Sequence, residues 1–381
     1  MADRFWVGGS ATWDATAGSK WATTTGGAGG AAVPTAADDV YFDGNSTGPI
    51  TLSGTSVCRS LDMTGYAGTV VHPAATTLTI GDGTAGQGNV AFKSSVSGMT
   101  YTLGNAHTSA IAFVSTSATQ QSVYTATGNA TVLGDLTFNG VGGSWNFDAG
   151  DGDGVVGNIT LTNGDLAIGA AVNSISGFSS SNSNTRSITL NATLTLGAAA
   201  GGAPGSWNCA TSTNLTVTAN SLLIIGVSGS VGDATFAGGG MTYAVLVCQT
   251  TGTVTISGSN TFLYLQFVTG YVMTVKLTSG TTQTATNFVD HNNSVEILTI
   301  ESTTPGSPAT ISSTLGGDTL GTFTGTYMDI TDSIASGGAT FDVTDASNVN
   351  GGGNTGWTFG NTLSNYLFGG RSRINKRRRR R

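Results

Sequence analysis

Histidine most often moves protons at neutral pH, and this chain has three, His72, His107 and His291. We predict that all three lie in polar turns. A hydrolase triad would need one of them beside an activated nucleophile. Residues 44–48, G-N-S-T-G, match the G-x-S-x-G pattern, but P-I-T-L follows, which predicts a strand where a nucleophile elbow needs a helix. The motif therefore indicates a glycine turn.

A second glycine motif could hold a nucleotide. Residues 81–86, G-D-G-T-A-G, match the G-x-G-x-x-G fingerprint of dinucleotide-binding folds. That fingerprint works only where a helix follows and its N-terminus receives the pyrophosphate. Here Q-G-N-V-A-F follows, which is typical of a strand. We predict a turn at this position and no cofactor.

The cysteines offer neither a metal site nor a disulfide framework. They are three, far apart and never in a C-x-x-C pair: Cys58, Cys209 and Cys248. Their neighbours, S-V-C-R-S, W-N-C-A-T and L-V-C-Q-T, predict small apolar positions within or next to strands. This use of cysteine fits synthesis in a reducing cytoplasm.

Acidic side chains could bind a cation or cleave a glycan. The loop D-A-G-D-G-D-G carries Asp148, Asp151 and Asp153, oxygen ligands that Ca²⁺ prefers, but the EF-hand spacing and its distal glutamate are missing. We expect a solvated turn there and no bound metal.

A glycosidase would need two carboxylates facing each other about 5–9.5 Å apart. Glu296 and Glu301 are five residues apart, and Asp329 and Asp332 are three apart, so within one strand each pair would point to opposite faces. We therefore expect no enzymatic activity. Carboxylates could still meet across neighbouring strands, which leaves a polysaccharide-cleaving enzyme as an alternative.

Two tryptophans share the phrase G-S-W-N, Trp145 and Trp207. If exposed, their rings could stack on sugars. We predict instead that each packs a turn against the neighbouring coil.

Composition separates the body of the chain from its end. Eight of the 14 Lys+Arg residues lie in the last eleven positions, so the rest carries six cations against 21 anions, a net charge near −15. Charged residues are 9% of the chain, where soluble domains have about 25%. Glycine supplies 58 of 381 residues. The body is therefore an acidic, folded protein with a surface of Ser, Thr, Asn and Gly.

Short alternating segments recur along the chain and predict strands with one buried face. They follow the pattern apolar, Thr or Lys, apolar, with Y-T-L as one variant, at residues 50–52, 78–80, 101–103, 136–138, 159–161, 188–190, 215–217, 254–256, 275–277, 298–300 and 309–311. Many recur at steps of about 21–29 residues, with no helical stretch between them.

A loose strand repeat of this length is typical of a β-solenoid, whose coils stack and complete each other's core. We therefore predict an all-β fold, a solenoid body over residues 50–325. β-Sandwich domains remain the alternative.

The two ends differ from the middle. Residues 1–49 hold three of the six tryptophans and predict a cap over the first coil, whose open edge would otherwise be exposed. Residues 326–370 predict closing strands, with Trp357 and Phe359 covering the other end. Residues 371–381 form a basic tail.

Both ends resemble a known group of proteins. The opening W-x-G-G-x-x-T-W-D…W…G-G-A-G-G…V-P-T…D-D-V-Y-F-D and the closing Y-M-D-I-T-D-S…G-G-A-T…N-T-G-W-T-F are similar to Gly/Thr-rich structural proteins of tailed bacteriophages. The resemblance implies a β-helical fibre, tailspike or head decoration located in the virion, assembled as a homo-oligomer and most often a homotrimer. It covers about 85 residues and assigns no catalytic residue.

The basic tail is the predicted partner-binding site. Its cations are Arg371, Arg373, Lys376, Arg377, Arg378, Arg379, Arg380 and Arg381. Such a tract stays extended until it meets anions. It could dock on an acidic surface of a partner or of a neighbouring copy of this chain, bind packaged nucleic acid by releasing counterions, or remain a solvated tail. We favour docking on capsid or tail proteins, because the acidic body would repel a duplex.

Three functions follow as alternatives. The first is a non-enzymatic virion component attached through its tail. The second is a tailspike-like enzyme that binds or cleaves host surface polysaccharide. The third is a bacterial surface adhesin, disfavoured because we find no secretion signal, no apolar run that would span a membrane and no C-terminal membrane barrel.

Overall fold

A computed structural model describes residues 1–360 of the chain, except 17, 96–97, 106, 126–132, 150–154, 170–173, 198–203, 227–228, 269, 290–294 and 318–320. The described part is all-β, with long and mostly parallel sheets compatible with a β-solenoid or a β-sandwich. Its one 3-10 helix, Gln87–Asn89, contains no buried residue.

The strands of the described residues are mostly three to eight residues long. They are β1 Asp3–Trp6, β2 Ala11–Trp13, β3 Trp21–Ala22, β4 Asp39–Tyr41, β5 Ile50–Leu52, β6 Val57–Cys58, β7 Ser60–Asp62, β8 Thr69–His72, β9 Thr77–Ile80, β10 Val90–Lys93, β11 Thr100–Leu103, β12 Ala110–Phe113, β13 Gln121–Thr125, β14 Asp135–Ala149, β15 Val155–Ile168, β16 Ser174–Ser179, β17 Arg186–Leu190, β18 Leu194–Leu196, β19 Trp207–Asn208, β20 Leu215–Ala219, β21 Leu222–Ile225, β22 Ala234–Ala237, β23 Thr242–Cys248, β24 Gly252–Ser257, β25 Thr261–Phe267, β26 Met273–Leu277, β27 Thr282–Val289, β28 Leu298–Ser302, β29 Ala309–Ser313, β30 Thr322–Thr324, β31 Met328–Thr331, β32 Ser333–Ser336, β33 Thr340–Val343, β34 Val349–Gly352 and β35 Trp357–Phe359.

Alternation of side chains explains why these segments are strands. In β5, Ile50 and Leu52 are buried and Thr51 is half-buried, and β26 buries Met273 and Leu277 in the same way. A strand places successive side chains on opposite faces, so this pattern buries one row and leaves threonine outside. All eleven predicted segments lie within observed strands.

The strands pair in parallel with strands one repeat away. Val40 lies opposite Leu61, Leu61 opposite Phe92 and Phe92 opposite Val123. Antiparallel pairing between two named strands occurs once in the described residues, between β1 and β3. Because parallel neighbours cannot be joined by a tight hairpin, each pairing requires the chain to leave and return.

One row runs through eight successive strands in unbroken register. It comprises Thr79, Ala112, Thr137, Thr160, Ser179, Asn208, Ala237 and Ser257. Six of these eight side chains are Thr, Ser or Asn. A companion set of strands, β18, β21, β23, β25, β27, β29 and β32, pairs in the same parallel manner. Two short parallel sheets, β2–β5–β8–β11 and β30–β33–β35, complete the pairing.

Aromatic clusters occupy both ends of the described chain. Trp6, Trp13 and Trp21 are fully buried and meet edge to face, with ring centroids 5.0 Å apart for Trp6–Trp21 and 5.3 Å for Trp13–Trp21. At the other end the Trp357 ring contacts those of Phe323 and Phe341. The caps and the boundaries at residues 49, 325 and 370 stay predictions.

Two buried arginines join segments that are distant in sequence. The guanidinium of Arg59 donates to the carboxylate of Asp39, and both side chains are buried. Arg186, 2% exposed, has no carboxylate partner among the described residues and donates instead to backbone carbonyls and one hydroxyl.

Candidate functional site

The two glycine motifs are turns, as predicted. The residues directly after 81–86 form the three-residue 3-10 helix Gln87–Asn89, which corrects the predicted strand at those positions, and β10 begins at Val90. A dinucleotide site needs an α-helix at this point, and residues 87–93 contain none. In residues 44–48 the Ser46 hydroxyl is buried and donates to the carbonyl of Trp6 at 2.9 Å. That serine holds the aromatic cluster in place and is not an exposed nucleophile.

The prediction of polar turns for all histidines is wrong for His72. It ends β8 and is fully buried, with Nδ1 2.9 Å from the hydroxyl of Tyr101 and Nε2 3.1 Å from the carbonyl of Thr76. Burial lowers the pKa of His72. His107 does lie in an exposed turn, and His291 lies outside the described residues.

The cysteines are free, buried thiols, as predicted. Cys58 lies in β6 and Cys248 in β23, while Cys209 directly follows β19. Burial raises the pKa of Cys209 and of Cys248 to about 12, so neither is a thiolate at neutral pH.

Neither of the two acidic pairs lies within a single strand. Glu296 lies before β28 and not in the same strand as Glu301, which corrects the predicted opposite-face geometry. Glu301 pairs with Lys276 at 3.1 Å. Asp332 follows β31 and accepts from the amide of Gly306 at 2.7 Å. Asp151 and Asp153 lie outside the described residues.

The paired tryptophans pack inside the fold, as predicted. Trp145 and Trp207 are both fully buried. The Trp207 ring stacks on Phe178 at 4.2 Å between centroids, and its Nε1 donates to the hydroxyl of Tyr243 at 3.0 Å. Neither ring can stack on a sugar.

One groove collects polar groups that the sequence does not bring together. It has a volume of about 560 Å³, and its lining includes Asp135, Asn158, Thr160, Ser206 and Asn208. These residues come from or next to β14, β15 and β19, strands on one side of the same parallel ladder. Parallel register therefore aligns them.

Asp135 makes several of the polar contacts at this groove. Its Oδ1 accepts from the backbone amide of Asn158 at 2.7 Å and lies 3.5 Å from Nδ1 of His107. The Asn158 side chain lies 3.3 Å from the same histidine nitrogen. Of the described lining residues, Asp135 is the one carboxylate, so the groove offers hydrogen bonds to a ligand but not the carboxylate pair of a glycosidase.

A second concavity surrounds Lys93. It measures about 500 Å³, and Thr64, Ser122 and Tyr124 help to line it. The other five cations outside the basic tail, all described, have polar partners: Arg4 and Arg186 donate to carbonyls, and Lys20, Arg59 and Lys276 form ion pairs. In the described part of the chain, the Lys93 ammonium forms no ion pair.

The predicted partner-binding residues Arg371 to Arg381 lie outside the described residues. No group of three or more potential metal ligands occurs within the described part of the chain. Nor does any helix there have the length and apolar character needed to cross a membrane. Comparisons with protein-family models, curated proteins and solved structures find no match to this chain.

Proposed function

We propose that this protein is a β-solenoid component of a bacteriophage virion, a fibre, spike or decoration protein that projects from the tail or capsid. The observation that carries the proposal is the row from Thr79 to Ser257, which continues in parallel register through eight strands. At about 4.8 Å per strand, seven steps make a rod segment about 34 Å long.

The surface and the ends support the same proposal. A projecting part must resist proteolysis and must not aggregate at its open edges. Here the outward row is mostly Ser, Thr and Asn, and aromatic clusters occupy the two ends of the described chain. The similarity of the end motifs to phage structural proteins points in the same direction.

Attachment is assigned to the basic tail, residues 371–381. Eight cations without a carboxylate in the same stretch suit an acidic surface on a capsid or tail protein, with nucleic acid as the alternative. The body then points outward and its negative charge keeps neighbouring particles apart.

The test uses phage particles that carry the gene for this chain. Immunogold labelling of purified particles should decorate one structure, and deletion of residues 371–381 should remove the chain from the particle without changing its circular dichroism. Replacing the eight cations with glutamine is the matched control for length, and should have the same effect as deletion. Particles that never contain the full-length chain would rule out the proposal.

A second candidate function is binding of a neutral host glycan, and the Asp135 groove favours it. Amide and hydroxyl groups that line a groove match the hydroxyls of a sugar. Purified capsule or lipopolysaccharide should bind the wild-type chain, and D135A should weaken binding more than D82A, a change at a half-buried loop residue that does not line the groove. A reducing-sugar assay on the same mixture separates binding from cleavage.

A further inference from the structure

Exposed large apolar side chains are unevenly distributed over the described residues. Eleven are exposed, and nine of them lie between Val231 and Val349. Soluble proteins tolerate single exposed apolar residues, but a contiguous set marks a surface that is covered in the assembly.

Four of the nine form one row along the rod, which we call the edge row: Val231, Val272, Ile297 and Tyr327. Gly252 pairs with Met273, Met273 with Leu298 and Leu298 with Met328, so the residues immediately before them also align. Thr251, the exposed residue before Gly252, occupies the next position of the row, and Val231 lies beside it through a parallel bridge. The exposed fractions are 61% for Val231, 53% for Val272, 51% for Ile297 and 37% for Tyr327.

A second surface lies on the outward side of β21, β23 and β25. Elsewhere the strands alternate apolar residues with threonine, but here the sequence runs L-L-I-I, Y-A-V-L-V-C and F-L-Y-L-Q-F. Leu222 pairs with Val245 and Val245 with Tyr264 across the three strands. We call this surface the outer apolar face; it comprises the half-buried Leu222, Ile224 and Val245 and the exposed Leu263 and Tyr264. Strands that are apolar on both sides are normally buried on both sides.

Charge and repeat length together identify the partner. The body carries six cations against 21 anions, so two copies repel unless they meet through uncharged surface, and neither apolar surface contains a charged residue. Both surfaces also repeat at the strand spacing of about 4.8 Å. A second copy of this chain presents the same spacing and can match it row for row.

We propose that the edge row of one copy packs against the outer apolar face of the next copy and that the contacts close a ring. Two different surfaces on one chain form a heterologous interface, which closes into a ring when the rotation allows. The inference rests on the proposed solenoid rod.

The test measures the mass of the full-length chain by light scattering after size-exclusion chromatography. The wild type should be an oligomer. I297D in the edge row and L263D in the outer apolar face should each give monomer with unchanged circular dichroism. V141D, at a site 73% exposed outside both surfaces, is the matched control and should keep the wild-type mass.

Mixing the variants separates the two kinds of interface. The I297D chain keeps an intact outer apolar face, and the L263D chain keeps an intact edge row. One I297D chain can therefore bind one L263D chain, and the mixture should form dimers and no larger oligomer. An L263D chain that dimerises alone would show that edge rows pair with each other and would overturn the proposal, as would a monomeric wild type. A ring in solution with no chain in the particle would instead contradict the virion function alone.

Discussion

Arg186 provides the sharpest test of how neighbouring parallel strands are held together. Its guanidinium donates to the carbonyls of Ser180 and Asn184 on its own side, and to those of Thr211 and Thr213 next to the paired strand β20. The distances are 2.6, 2.7, 2.6 and 2.8 Å. The side chain therefore fastens two segments that lie about 27 residues apart.

We predict that R186M lowers the free energy of unfolding by about 2–6 kcal/mol. The two acceptors on Ser180, its carbonyl and its hydroxyl, are buried, and each buried acceptor left without a donor costs about 1–3 kcal/mol. The acceptors on Asn184, Thr211 and Thr213 are only partly buried, so water can replace the guanidinium there. R186K should recover only part of the loss, because an ammonium has three donors and no planar fork.

Urea unfolding monitored by circular dichroism and tryptophan fluorescence measures the change. K276M is the matched control, because it removes one cation whose pair with Glu301 is half-exposed, and such pairs contribute about 0–1 kcal/mol. An R186M variant as stable as K276M would refute the reasoning that this arginine joins two neighbouring strand segments.

Three further predictions concern stability, each read from urea midpoints. Burial lowers the pKa of His72, so near pH 6.5 the unfolded chain binds a proton at this residue and the folded chain does not. The free energy of unfolding of the wild type should therefore fall as the pH drops through about 6.5, and H72Q should make this pH dependence weaker. A Cβ on Gly140 would overlap the backbone oxygen of Ser115, so G140A should lower the free energy of unfolding by about 1–3 kcal/mol. A Cβ on Gly54 meets open space, so G54A should be neutral or slightly stabilising. Equal effects of the two substitutions would contradict the close packing at Gly140. R59M leaves the buried carboxylate of Asp39 without its cation and should cost about 3–5 kcal/mol, and a loss below about 1 kcal/mol would argue against a buried pair.

The strands could be predicted from the sequence because their signal is local. Ile50-Thr51-Leu52 and the ten similar segments each carry the alternation of a half-buried strand within three residues. The burial of Trp145 and Trp207 was also predicted, although both lie in strands, β14 and β19, and not in turns. The outer apolar face had a local signal too, since the run S-L-L-I-I-G breaks the alternation, but its meaning depends on which side of the strand is covered.

The polar sites could not be predicted because they depend on pairing between distant segments. His72 stands in V-V-H-P-A-A, which is typical of a turn, yet its hydrogen-bond partner Tyr101 lies 29 residues further along the chain. His107 and Asn158 are 51 residues apart. Such residues meet because the strands that carry them pair across stretches of chain of unequal length. A single sequence does not fix the register of that pairing.

Electron–electron distances between spin labels along one row test the central claim, that parallel strands stack one repeat above another. Doubly labelled chains, with the buried native cysteines replaced and diluted with unlabelled chain, would pair Thr79 with Ser179, Asn208 or Ser257, which lie four, five and seven strands away. A stacked ladder predicts mean distances near 19, 24 and 34 Å, rising by about 4.8 Å per strand. Distances that level off or decrease as the number of intervening strands grows would contradict it.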